Sequence, residues 1–436
     1  MKDPATKDPR EPAAVLPGWL TRDASGTLLA EGLSLDSLAQ QFGTPLYVYS
    51  RAHIEATLEQ FRLAVKGRNA TVCYALKANS NLAIVELMGR LGCGFDIVSV
   101  GELERVIAAG CDPKQVLFSG VGKSVAEMSR ALEVGVRCFN VESVAELERL
   151  DQVAGRMGKV APVSIRVNPD VDAATHPYIS TGLKQNKFGI ACEEALPVYR
   201  MAAALPNLEV TGIDCHIGSQ ITDVSPFLQA LDRVLQTVDE LRVAGIELTH
   251  LDLGGGLGIR YGDENPPDPM TLMQALFGRI EQWGRGESLE VLFEFGRALV
   301  GNAGLLLTRT EYLKSNHDKH FAVVDAAMND LLRPSLYDAY HRIEQVAQRD
   351  GVPVLLDVVG PVCESGDWLG RDRLLTLEQG DLLAILSAGA YGAVMSSNYN
   401  SRPRAAEVLL QGGRARVVRE RETIAGLIAA ERRLSD

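Results

Sequence analysis

A lysine, a histidine, an acid and a run of glycines fall at the ends of short β-rich runs, and together they describe carbonyl chemistry on a phosphorylated group. Lys77 closes the run at residues 71–78. An amine partly withdrawn from water loses its proton more readily and becomes a nucleophile toward a carbonyl, forming a Schiff base. Gly254, Gly255 and Gly256, with the Gly296–Arg297 turn, leave backbone N–H groups unobstructed for an anion, and Ser219 adds a hydroxyl donor. Lysine, aldehyde and phosphate point to pyridoxal 5′-phosphate.

Taken singly, each residue has a structural explanation. Lys77 could reach solvent, His216 could be a satisfied core histidine, and Glu294 with Arg297 could be an ion pair. The glycines do not make a dinucleotide fingerprint, because Ile259 stands where its last glycine belongs. What joins these residues is the order of elements that must carry them. β-rich runs at 71–78, 95–100, 116–120, 138–141, 162–168, 210–218, 249–256 and 291–296 alternate with helical patterns such as 125–134 and 228–243. Eight such units predict a (β/α)8 barrel, whose chemistry sits on the loops after the strands. Asn79, Asp96, Ser99, Asn140, Glu142, Asn168 and Gly218 fall on the same rim.

Beyond residue 305 the runs at 305–313, 321–325, 354–359, 382–386, 406–410 and 415–419 have little helix between them and predict an all-β domain. The expected organisation is a disordered leader at 1–20, a segment at 21–50 joining the β domain, the barrel at 51–304 and the β domain at 305–436. The tail after 414 reads as an edge strand followed by a solvated helix.

The 436-residue chain has 46% hydrophobic residues and a net charge of −12. That composition excludes disorder, collagen and coiled coil as global descriptions and disfavours nucleic acid or an anionic membrane as partner. Seven scattered cysteines without a C-x-x-C pair argue against a disulfide framework or zinc site and for a reducing cytoplasm. The N-terminus lacks the apolar stretch of a signal peptide, and no later stretch is apolar enough to span a bilayer.

The motifs YALKANSN (74–81), FDIVSVGEL (95–103), HPYISTGLKQNKFGI (176–190), HIGSQ (216–220), LDLGGGLGI (251–259), EFGR (294–297), MNDLLRPSLYDAYH (328–341), CESGD (363–367) and GAYGAVMSSNYNSRPR (389–404) cover most of the chain. In these the sequence resembles the fold-type III pyridoxal-phosphate decarboxylases, most closely their diaminopimelate decarboxylase branch. The resemblance implies an alanine racemase-like fold and decarboxylation of meso-2,6-diaminopimelate to L-lysine, the last step of bacterial lysine synthesis. It implies that Lys77 carries the cofactor covalently, that His216 stacks on its ring and that Glu294 faces the ring nitrogen. Asp96, Ser219, Gly254, Gly255, Gly256, Gly296, Arg297 and Tyr391 complete the implied cofactor site. Arg297, Arg333, Tyr337, Glu364 and Tyr391 are the implied substrate ligands, and Cys363 the acid that reprotonates the product.

The family places Cys363 and Glu364 in the neighbouring subunit's site, which implies a homodimer with shared sites. Racemases on the same barrel have arginine at the Glu294 position, so the carboxylate favours decarboxylation. One departure is Phe295, where the family writes proline; a slightly altered turn and slower turnover are expected from it. The alternatives are a decarboxylase for arginine, ornithine or carboxynorspermidine, and a catalytically silent regulatory homologue. Retention of Lys77, His216, Glu294, Cys363 and Tyr391 speaks against the last.

Overall fold

The computed structural model describes residues 16–172, 176, 181–182, 186–286 and 288–434. Eight parallel strands, each followed by a helix, occupy the expected region: β1 (Ala70–Ala75), β2 (Gly94–Ile97), β3 (Val116–Phe118), β4 (Cys138–Val141), β5 (Ala161–Asn168), β6 (Leu208–Asp214), β7 (His250–Asp252) and β8 (Glu290–Phe295). Neighbours in sequence are neighbours in the sheet, and β8 pairs with β1, so the sheet closes without an edge. The (β/α)8 class is therefore the observed one, beside a separate β-rich unit.

The strands end earlier than the runs suggest. β1 stops at Ala75, and Lys77 sits in a single 3-10 turn, Leu76–Ala78. β6 and β7 stop at Asp214 and Asp252, two residues short of His216 and Gly254. Serine caps then start the helices: Ser99, Ser124 and Ser143 each accept the backbone N–H of the glutamate three residues on. Each such cap contributes about 1 kcal/mol. Ser99, singled out by its place on the rim, is thus a helix cap.

Contacts divide the chain into two units. One comprises Glu55–Ile259 and Asn265–Leu299; the other comprises the described residues up to Ile54, Arg260–Glu264 and those from Val300 on. The second unit is built on a sheet in the order Trp368–Leu375, Val354–Val359, Lys319–Val324, Gly304–Asn316, Leu46–Ser50, Ala406–Gln411 and Arg414–Arg419. Leu382–Ile385 also pairs with Gly304–Asn316. Leu46, Val48, Leu305, Leu307, Leu386, Val408 and Leu410 form its core together with Leu28 and Leu35 from the N-terminal segment.

Residues 1–15 of the expected leader lie outside the described residues. Trp19 and Leu20, also assigned to that leader, are buried in this core, and the Trp19 indole donates to the Asn302 carbonyl at 2.9 Å. Burying an indole is a reason for order that a count of charged and proline residues does not register.

Candidate active site

Lys77 is held by the turn that follows β1. The Tyr74 hydroxyl donates to the Asn79 carbonyl at 2.7 Å and fixes the turn. The Lys77 side chain is 35% exposed, and its Nζ lies 2.8 Å from Oδ2 of the fully buried Asp96 in β2. The ammonium therefore stands at the edge of the barrel interior, linked into it through Asp96.

That interior is crowded with acid. Asp96, Asp214, Asp252 and Glu294 are all buried, and carboxylate oxygens of the last three lie within 4.8 Å of one another. Arg166 is the second cation, 3.8 Å from Asp214 and 3.1 Å from Glu142. Burial and then the neighbouring Asp252, Asp96 and Asp214 push the Glu294 carboxyl well above the usual carboxylate range. Asp214 is raised chiefly by burial and Asp252, and Asp252 is pushed up to about 6 by burial. Ser119 and Asn140 donate to Glu294 Oε1, each at 3.3 Å. Oδ1 of Asp96 and of Asp214 meet no donor among the described residues. The cluster thus combines raised carboxyl groups with acceptor oxygens that meet no donor among the described residues.

His216 is the opposite case. Burial, with Arg166 and Lys77 nearby, drives its imidazole well below its ordinary value. Its Nδ1 accepts the Gly255 N–H at 3.2 Å, so the ring is neutral with its proton on Nε2.

The glycine run is tightly confined. A Cβ on Gly254 would lie 2.5 Å from the Cys215 carbonyl oxygen, one on Gly255 2.1 Å from that of Glu294, and one on Gly256 2.5 Å from that of Gly218. Gly254 also has φ of +65°. The expectation that these N–H groups stand open is corrected at two positions: Gly254 N–H bonds Asp252 Oδ1 at 2.9 Å, and Gly255 N–H bonds His216. Close packing of the strand ends, and not an open row of donors, demands glycine here. Arg297 is buried and donates to Ser219 Oγ at 2.9 Å, and a Cβ on Gly296 would lie 2.8 Å from that of Ala78.

Phe295 does not disturb this arrangement. It alternates with Glu294 on β8 and so faces away from the acid cluster. Its ring stacks on Phe293 at 5.6 Å and packs against Phe61 at 4.7 Å. The aromatic at this position fills the layer between barrel and helix.

Lys77, Asp96, His216, Ser219, the glycines, Glu294, Gly296 and Arg297 are thus brought together in the barrel unit. Arg333, Tyr337, Cys363, Glu364 and Tyr391 lie in the other. There Arg333 is buried, its guanidinium 5.2 Å from the Tyr261 ring centre and 5.6 Å from that of Tyr337. Cys363 and Glu364 are exposed, and Tyr391 is half-buried with φ of +55°. Of the motif at 176–190, residues 177–180 and 183–185 lie outside the described residues.

Asp214, Asp252, Arg166 and Tyr261 were not among the expected site residues. Asp214 and Asp252 each precede a named residue by two, and residues i and i+2 of a strand share a face. That spacing was a usable signal. Tyr261 had none.

A family model described as "Pyridoxal-dependent decarboxylase, pyridoxal binding domain" matches residues 51–301. Diaminopimelate decarboxylase of Pseudomonas aeruginosa is 60% identical over 410 residues, 94% of this chain and 97% of that protein. The Vibrio cholerae protein of the same name is 56% identical over 406 residues, 93% of this chain and 97% of its own. The crystal structure of diaminopimelate decarboxylase from Helicobacter pylori complexed with L-lysine superposes with a TM-score of 0.87 at 42% identity, covering 91% of this chain and 98% of that one.

Proposed function

The chain belongs to the pyridoxal-dependent decarboxylases, with pyridoxal 5′-phosphate as coenzyme, and from that premise we propose that it converts meso-2,6-diaminopimelate to L-lysine and carbon dioxide. The observation that carries the substrate class is Arg333. A buried guanidinium flanked by two phenol rings is a pre-organised planar fork suited to the distal carboxylate of a diamino diacid. A substrate without that carboxylate has no group for such a fork to grip.

The residues present fit the coenzyme. A cluster of four buried carboxyl groups, three of whose oxygens meet no donor among the described residues, is complementary to a protonated ring nitrogen. When bound, pyridoxal phosphate supplies a ring that accepts the electron pair left by departing carbon dioxide. Lys77 Nζ would hold the coenzyme covalently, and Asp96, 2.8 Å from that Nζ, would pair with its ammonium form. Glu294, surrounded by like charge, would face the ring nitrogen and favour its protonated form. Neutral His216 offers an apolar face without competing for that proton. Ser219, Arg297, Tyr391 and the turns at Gly256 and Gly296 would hold the phosphate. Arg297, Tyr337 and Tyr391 align the substrate, Glu364 binds its distal ammonium, and Cys363 Sγ delivers a proton to the decarboxylated carbon.

The same reading has the enzyme as a homodimer in which Cys363 and Glu364 complete the partner's site. Both are exposed in the single chain. The strand register also puts Tyr312, Phe321, Val323, Leu355 and Leu374 on one sheet face, and Tyr312, Leu355 and Leu374 are exposed there. An apolar face of that kind supports burial against a second copy. All seven cysteines are free thiols, which supports a reducing, cytoplasmic compartment. No helix among the described residues is long and apolar enough to cross a membrane.

Purified protein loaded with pyridoxal phosphate is expected to release lysine from meso-diaminopimelate and to leave arginine, ornithine and carboxynorspermidine nearly untouched. Preference for any of those three overturns the substrate, and failure on all four overturns the activity. Mixing Lys77→Ala with Cys363→Ala protein tests the shared site. Subunit exchange should restore about a quarter of wild-type activity, since one of the two sites in each mixed dimer is whole. No recovery despite demonstrated exchange counts against sharing.

A further inference from the structure

Tyr399 and Asn400 are consecutive residues of one turn, and they engage the consecutive residues Glu364 and Cys363. The Tyr399 hydroxyl donates to Glu364 Oε1, and the Cys363 thiol donates to Asn400 Oδ1 at 3.7 Å. We propose that Tyr399 and Asn400 are positioning residues for the reaction, Tyr399 orienting the carboxylate that receives the distal ammonium and Asn400 holding the Cys363 thiol in its protonated, proton-donating form. This inference rests on the roles given above to Cys363 and Glu364.

Both partners are tied to the same short piece of chain. Asp367 takes the N–H of Val362 at 2.7 Å and of Met328 at 2.6 Å, and its own N–H bonds the Glu364 carbonyl at 3.0 Å. The loop carrying Cys363 and Glu364 is thereby fastened to Met328. On the other side, Ser397 N–H bonds the Asn329 carbonyl and Arg402 Nε bonds Asn329 Oδ1, each at 2.9 Å. The turn is therefore fastened to the next residue along. Asn398 closes it by donating to the Arg402 carbonyl at 3.1 Å and to Glu422 at 2.6 Å.

The turn itself is strained. Asn400 and Ser401 both have φ of +55°, a region asparagine tolerates and serine rarely visits. Strain retained by so many local bonds fixes where the two side chains stand.

Stability is a poor explanation for these contacts. Tyr399 is 44% exposed, and Asn400, Cys363 and Glu364 are exposed. Hydrogen bonds between groups that water can reach contribute little net to folding. What the contacts do provide is a set spacing between an acceptor for a cation and a donor of a proton. A thiol that must deliver a proton is helped by a neutral amide oxygen, which stabilises S–H over the thiolate. A carboxylate accepting a phenol O–H is likewise held in one orientation before the substrate arrives.

The test uses the coenzyme-loaded full-length enzyme. In Tyr399→Phe the KM for meso-diaminopimelate should rise about tenfold, the scale of one hydrogen bond to a charged group, with kcat changed less than about twofold. Adding Tyr399→Phe to Glu364→Gln should cost no more than Glu364→Gln alone. Asn400→Asp, which sets a negative charge beside the sulfur, should move the pH profile of Cys363 alkylation by iodoacetamide to higher pH by about one unit, read by peptide mass spectrometry. Asn400→Ala should move it to lower pH. An unmoved alkylation profile in both Asn400 variants, or independent additive effects of Tyr399 and Glu364, overturns the proposal. A raised KM in Glu364→Gln beside an unchanged one in Tyr399→Phe overturns it while leaving the role of Glu364 intact. An unchanged KM in Glu364→Gln removes that role, and the proposal falls with it.

Discussion

Replacing Lys77 with alanine abolishes the visible absorbance of lysine-bound pyridoxal phosphate and lowers carbon dioxide release by more than about 10³-fold, the scale on which loss of a covalent anchor acts. The expectation follows from position. Lys77 is the amine in the turn after β1, and its Nζ is only 2.8 Å from Asp96, whose carboxylate draws it inward. Alanine removes the nucleophile and the ammonium that pairs with Asp96 in an acid-rich barrel interior. Spectrophotometric titration with the coenzyme and a manometric or coupled assay of carbon dioxide check the two halves. A variant that keeps either the absorbance or the gas release would sink the assignment of Lys77.

Arg333→Ala should lower kcat/KM for meso-diaminopimelate by about 10²- to 10³-fold, because truncating one partner of a buried, hydrogen-bonded charge pair costs about 3 to 5 kcal/mol. Its kcat/KM for an amino acid without a distal carboxylate, such as ornithine, should hardly change. Arg333→Lys keeps the charge and loses the planar fork, so it should recover only part of the loss. Coenzyme absorbance reports whether each variant is still assembled. Equal losses on both substrates would mean that Arg333 supports the fold and not the choice of substrate.

Much of the architecture could be read before any coordinates, because a closed parallel barrel repeats one simple alternation eight times. The helix at Val125–Val134 has the bounds its periodicity predicts. The strand Trp368–Leu375 escaped notice: it carries Arg371, Asp372 and Arg373 in a bulged stretch with Asp372 at φ of +51°, which breaks the period of two. Ile343–Gln345 is too short to show a period at all. In the site, the rim residues could be named because glycines, lysine and histidine are unusual at strand ends. Asp214 and Asp252 were hidden inside apolar-looking runs, although a buried acid two residues before a site residue is itself a sign. Tyr261, Tyr399 and Asn400 act on side chains distant in sequence, and only tertiary structure could have paired them. The reason for the glycine run was legible only in part, since carbonyl oxygens of adjacent strands, invisible in one dimension, are what exclude a side chain there.

The short stretch Arg260–Glu264 leaves the strand-seven glycines yet is counted with the β-rich unit, where Tyr261 flanks Arg333. Anyone building chimaeras from two relatives therefore has to transplant three separate stretches of chain to move that unit whole. A graft spliced only near Val300 imports the Arg333 guanidinium without the Tyr261 ring it lies over.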